Sequence, residues 1–75
     1  MSEPTERQLE ILVAYVECGG SKAAAIRLSV SERYIRSALS ALHAIIGGTN
    51  SAQTFALAVQ RGLIDPHELH ISEAA

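Results

Sequence analysis

Lys22-Ala23-Ala24-Ala25-Ile26-Arg27-Leu28-Ser29-Val30-Ser31-Glu32-Arg33-Tyr34-Ile35-Arg36-Ser37-Ala38-Leu39 is the stretch from which the fold is read. Its first part predicts a short helix from Lys22 to about Leu28, with Ser21 ahead of it as an N-cap. Ala24, Ala25 and Leu28 share one face, and two alanines there let another helix cross closely. Ser29-Val30-Ser31 then breaks the pattern, and Ser31 caps a longer helix from Glu32 to about Ile46. On that helix Ile35, Leu39, Leu42 and Ile46 fall on one face, while Arg33, Arg36, Ser37 and Ser40 fall on another. A short helix, a three-residue turn and a longer amphipathic helix form the helix-turn-helix arrangement. The second helix of such a pair enters the DNA major groove, about 12 Å wide, and reads base edges there.

The flanking sequence extends the pattern on both sides. Thr5-Glu6-Arg7-Gln8 fits a capping box for a first helix running to about Cys18. Leu9, Ile11, Leu12, Val13, Tyr15 and Val16 are its apolar residues, and Gly19-Gly20 offers a left-handed stop. Past Gly47-Gly48, Asn50 or Ser51 starts a fourth helix with Phe55, Ala58 and Val59 inward. Gly62 stops it, and Leu63-Ile64 are expected to fold back onto the bundle. Asp65-Pro66-His67-Glu68 resembles the start of one more turn, before a loose Ser72-Glu73-Ala74-Ala75 tail. The expected organisation is an all-α domain at 5–64, with a lead at 1–4 and a short turn and tail at 65–75.

Composition agrees with this reading. Seventy-five residues make one small domain. Hydrophobic residues are 48% of the chain and aromatic ones 4%, so the core must come from aliphatic residues and alanine, which favours packed helices. The single Cys18 excludes an intramolecular disulfide framework and a Cys-rich zinc site. Residues 1–4 carry no basic stretch leading into an apolar run, so a cytoplasmic protein is expected. Ser37 to Gln60 holds no Asp, Glu, Lys or Arg. His43 and Gly47-Gly48-Thr49-Asn50-Ser51 interrupt that run, which argues against a membrane span.

Charge is arranged unevenly behind a net value of −2. Residues 1–17 set Glu3, Glu6, Glu10 and Glu17 against Arg7. Residues 18–64 set Lys22, Arg27, Arg33, Arg36 and Arg61 against Glu32 alone. Asp65, Glu68 and Glu73 close the chain. A basic middle between acidic ends suits a module that turns one face to phosphate.

From Thr5 to Ile64, without gaps, the chain resembles the DNA-binding domain of the LuxR/GerE family of bacterial transcription regulators. Thr5-x-Arg7-x-x-Glu10-Ile11-Leu12 stands where that family has T-x-R-E-x-E-V-L. Lys22-Ala23-Ala24-Ala25-x-x-Leu28-x-Val30-Ser31 is similar to K-E-I-A-x-x-L-x-I-S. Glu32-Arg33-Tyr34-Ile35-Arg36-Ser37-Ala38-Leu39 is similar to E-R-T-V-K-x-H-L. Ile46-Gly47 matches the L-G pair, and Phe55-x-x-Ala58-x-x-x-Gly62-Leu63-Ile64 matches A-V-x-x-A-x-x-x-G-L-I.

The resemblance implies a four-helix module whose third helix docks in the major groove and whose fourth forms a dimer contact. It assigns Arg36 to the base-facing position, with Arg33, Ser37 and Ser40 on the same face reaching bases or phosphates. Tyr34 falls near the DNA backbone, and Ser21 and Lys22 fall at the start of the second helix, where phosphate is favoured. Some cations and polar groups of the family pattern are missing. Its acid after the first lysine is Ala23, its recognition-helix histidine is Ala38, its lysine before L-G is Ile45, and its arginine past the loop is Ser51.

With Ile11, Leu12, Tyr15 and Val16 inward, Leu9 and Val13 are expected to point outward. Gln53, Ala56, Leu57 and Gln60 are expected outward on the fourth helix, as a homodimer or partner surface. His67-x-x-His70 beside Glu68 has helical ligand spacing, but two histidines do not make a structural metal site. No nucleophile–base pair, phosphate-cradling glycine loop or paired acid is recognisable, so neither an enzyme nor a cofactor is expected.

The expected function is a free-standing, bacterial or phage-borne regulator that binds double-stranded DNA as a homodimer. The rival is a protein-binding module of the same fold that docks on RNA polymerase or another regulator. The acidic balance, the missing cations and the outward Leu9 and Val13 favour that rival.

Overall fold

A computed structural model describes residues 3–65. Within them the chain forms four helices and no strand: α1 (Glu6–Cys18), α2 (Ser21–Leu28), α3 (Glu32–Ile46) and α4 (Ser51–Gln60). The expected final turn at 65–68, the His67/His70 pair and the tail lie outside the described residues, Asp65 excepted. No helix among the described residues is long and apolar enough to cross a membrane.

Each boundary has a local cause. The Thr5 hydroxyl accepts from the Gln8 backbone N–H at 3.1 Å, and the Gln8 side chain accepts from the Thr5 backbone N–H at 2.9 Å. That reciprocal pair starts α1 as a capping box. At the other end Gly19 takes a left-handed φ of 83° and donates its N–H to the Tyr15 carbonyl. Ser31 caps α3 through the Tyr34 N–H, and Asn50 caps α4 through the Gln53 N–H.

The start of α2 departs from expectation. Gly20 occupies the cap position, no side chain accepts from its first N–H groups, and Ser21 is already helical. Because Ser21 sits inside the first turn, its hydroxyl is no longer placed to cap.

The link between α2 and α3 takes three residues, Ser29 to Ser31. Ser29 adopts a left-handed φ of 59°, unusual without glycine, and closes α2. The Val30 N–H then reaches back to the Ala25 carbonyl at 3.0 Å, and the Val30 side chain packs against the core. This backward bond with its apolar contact turns the chain within three residues. A comparable closure follows α4, where Leu63 N–H bonds the Ala58 carbonyl and Ile64 is buried, as expected from its position after Gly62.

Helices α1 and α3 are central, each packing against the other three, and α2 and α4 flank them. The core consists of Ile11, Leu12 and Ala14 from α1, Ala24 and Ala25 from α2, Ile35, Leu39, Leu42 and Ile46 from α3, Ala58 from α4, and Ile64. The inward face of α3 is the one expected. On α1 it is not: Ala14 is buried, Tyr15 is half-buried and Val16 is exposed. Ile11 to Val16 is apolar at every position, so periodicity could not select a face, and the placement of the other helices did. Leu9 and Val13, expected outward, are half-buried and packed against the core for the same reason.

On α4 the buried residues are Thr54 and Ala58, while Phe55 and Val59, expected inward, are half-buried. Small residues at that spacing let α4 approach closely. An added Cβ at Gly48 would meet the Thr54 backbone N at 2.6 Å and its Cα at 2.8 Å, so the chain there has no room for a side chain.

Candidate nucleic-acid interface

The surface of α3 opposite its core face is built from Arg33, Ser37, Ser40 and Ala44, all exposed and following one helical line. This crest exists because the buried Ile35, Leu39, Leu42 and Ile46 of α3 lie on the other side. Arg36, also exposed, lies on the flank of α3 that faces the end of α1 and the start of α2. There an open cleft of about 290 Å³ is lined by Tyr15, Ser21, Arg36, Leu39, Ser40 and His43. Of the residues expected to meet DNA, the structure therefore gathers Ser21, Arg36 and Ser40 around one cleft. Arg33 and Ser37 stand on the crest beside it.

Lys22 is exposed in the first turn of α2. Tyr34 is 44% exposed on α3. Its neighbour is Arg7 of α1: the Glu10 carboxylate first, and the Tyr34 hydroxyl second, hold that guanidinium above its ordinary pKa. Arg7 belongs to an acidic segment by sequence and pairs with Glu10 at 2.9 Å. Its approach to α3 is a tertiary contact that no local pattern announced.

Ion pairing sorts the cations. Arg27 bonds Glu17, whose side chain is only 9% exposed. That carboxylate, ahead of Cys18, raises the Arg27 pKa. The second Glu17 oxygen, Oε2, is buried without a partner. Arg61 donates to the Ile46 carbonyl at 3.0 Å and so satisfies the end of α3. Arg36 has only a loose contact with Glu32 at 3.8 Å, both side chains being well exposed. Among the described residues Lys22 and Arg33 have no intramolecular ion pair.

His43 and Thr54 were not expected to interact. Thr54 is fully buried, and its hydroxyl lies 2.7 Å from His43 Nδ1, tying α3 to α4. This bond gives His43 a structural role. Thr54 itself carried no signal, because a threonine between apolar residues reads as the polar side of its helix.

On the outer side of α4, Gln53, Ala56 and Gln60 are exposed, while Leu57 is half-buried against the core instead of outward. The Gln53 side-chain oxygen accepts from the Thr49 backbone N–H and hydroxyl at 2.8 and 2.7 Å, so it helps fix the start of α4. Among the described residues the most exposed large apolar side chain is Ile26 on α2, at 73%. No group of three or more His, Cys, Asp or Glu among the described residues is placed to hold a metal.

Comparison with protein-family models, curated proteins and solved structures finds no match.

Proposed function

We propose that this chain is a helix-turn-helix regulator of the LuxR/GerE type that binds double-stranded DNA as a homodimer, with α3 laid in the major groove. The observation that supports it is the sorting of cations. Arg7, Arg27 and Arg61 are engaged within the fold, whereas Lys22, Arg33 and Arg36 remain exposed and are not tightly paired. These three are the cations carried by α3 itself and by the start of α2. Phosphate neutralisation is best served by such loosely paired cations, because a guanidinium already held by a carboxylate must give up that partner before it can displace counterions from DNA.

In this reading Arg33 and Ser37, on the crest, meet base edges. Arg36, on the cleft-side flank, Ser40, where the crest borders the cleft, and Lys22 meet the sugar–phosphate backbone. The resemblance assigns Arg36 to bases, and its position beside Ser21 favours phosphate instead. Two copies joined through the outer side of α4 would occupy half-sites about one helical turn apart. Regulation would follow from where those sites lie relative to a promoter, in the cytoplasm.

Selection from a random duplex pool at low salt, followed by sequencing, tests this. The expected result is a pseudo-palindromic site whose half-site spacing reports the dimer. Arg33→Ala is expected to lose about 1–3 kcal/mol of discrimination at one base position. Lys22→Ala is expected to weaken all sequences alike and to lower the salt slope by about 0.9. One specific observation favours the protein-binding alternative: Ile26 stands 73% exposed on α2, where an RNA polymerase subunit or another regulator could cover it. Absence of any enriched site from folded protein would transfer the proposal to that reading.

A further inference from the structure

The cleft between the end of α1, the start of α2 and the flank of α3 has a one-sided chemistry. Its polar lining is a guanidinium (Arg36), an imidazole (His43) and three hydroxyls (Tyr15, Ser21 and Ser40), over the aliphatic floor of Leu39. No carboxylate lines it, so a metal cation or an amine finds no counter-charge there. Arg36 is held only loosely at the cleft: among the described residues its ion-pair partner is Glu32 at 3.8 Å, with both side chains exposed.

The imidazole is also oriented. His43 Nδ1 is occupied by the buried Thr54 hydroxyl at 2.7 Å, which leaves Nε2 as the ring nitrogen for a ligand. When the hydroxyl donates to Nδ1, the ring proton sits on Nε2, and His43 becomes a donor whose direction is set from α4. A guanidinium beside hydroxyl and imidazole groups able to donate, with no carboxylate among the lining residues, suits a tetrahedral oxyanion.

We propose that this cleft is a seat for one phosphate group, in which His43, positioned by Thr54, donates to a phosphate oxygen alongside Arg36, Ser21 and Ser40. The group is either a phosphodiester of a nucleic-acid strand or a free phosphate ester, which share this chemistry. The seat rests on the reading of Arg36 and Ser40 as backbone contacts given above, and adds His43 and Ser21 to them. The start of α2 at Ser21, which lacks a side-chain cap, adds partial positive charge beside a site that the side chains already define.

The test is titration of the full-length, ¹⁵N-labelled protein with inorganic phosphate, with chloride at matched ionic strength as the reference. Saturable shifts are expected at the Ser21 and Ser40 amides and at His43 Nε2–H, with none of comparable size around Arg27 or Arg61. His43→Phe and Ser40→Ala are each expected to weaken phosphate about tenfold, the loss of one hydrogen bond to a charged group. Ser40 is exposed, so its variant tests the seat without touching the core.

Glycerol 3-phosphate and a 20-base-pair duplex form the other two arms. Displacement of phosphate by the duplex identifies the ligand as a strand phosphodiester, and displacement by glycerol 3-phosphate alone identifies a free ester; either supports the seat. Shifts that match those with chloride, or that survive both substitutions unchanged, overturn it. A duplex site enriched by selection together with that negative result would sink the seat and leave the DNA reading standing.

Discussion

Helices α3 and α4 start alike and are decided differently. Each begins at a side-chain cap, Ser31 for α3 and Asn50 for α4, and each is rich in apolar residues. In α3 the large aliphatic residues recur every three to four positions, and the face they define is the one buried. In α4 apolar residues fall on nearly every side, and the buried row is Thr54 and Ala58, among its smallest side chains. Transfer of apolar area from water chooses the face of α3. Closeness of approach chooses the face of α4: Gly48 and His43 press against Thr54, and a larger residue at that point would hold the helix off.

Substitutions can break this contrast, starting with the largest effect. Leu42 is fully buried on the aliphatic face of α3. Leu42→Ala is expected to cost about 2–5 kcal/mol, much of the roughly 4–11 kcal/mol available to a chain of this length. Urea unfolding would measure it, and a loss under 1 kcal/mol would mean that α3 is not held by aliphatic burial.

Gly48→Ala comes next. Its backbone conformation is open to any residue, so the expected loss of about 1–3 kcal/mol is purely steric, from pushing α4 away. Thermal unfolding should fall by several degrees or more, at about 4–8 °C per kcal/mol for a domain this small. An unchanged melting temperature would show that α4 can shift freely, and that small residues do not set its approach.

The smallest effect concerns the bond across the two helices. Thr54→Val is expected to cost about 1 kcal/mol, because the hydroxyl is lost and His43 Nδ1 is left unpaired in a half-buried position. In a His43→Phe background the same change should cost nearly nothing. Equal losses in both backgrounds would show that Thr54 acts through packing alone and that His43 is not oriented by it.

The same division between strong and weak local signals governs the candidate site. Arg33, Ser37 and Ser40 were legible as an outer line because they alternate with the aliphatic face of α3 at helical spacing. That Arg36 and Ser40 share a cleft with Ser21 was not legible, since it depends on how α2 crosses α3. Ser21 was expected as a cap and lines the cleft instead, because Gly20 begins the helix one residue earlier. Arg7 beside Tyr34, Arg27 on Glu17 and Arg61 on the end of α3 were equally hidden. Each joins groups separated by ten or more residues, and sequence charge counts only the number of cations, not which are engaged.

By itself the sequence determined what short-range physics decides: where the helices start and stop, through Thr5, Ser31, Asn50 and the glycines Gly19 and Gly47, and which face of α3 is apolar. Those choices are local, because a cap or a left-handed residue acts within one turn and a clear period selects its own face. Only the tertiary structure decided that Ala14 replaces Val16 in the core, that Thr54 is buried, and that Lys22, Arg33 and Arg36 stay exposed without a tight ion pair. Those outcomes turn on contacts between helices, and among six consecutive apolar residues or six scattered cations, local rules rank every arrangement alike.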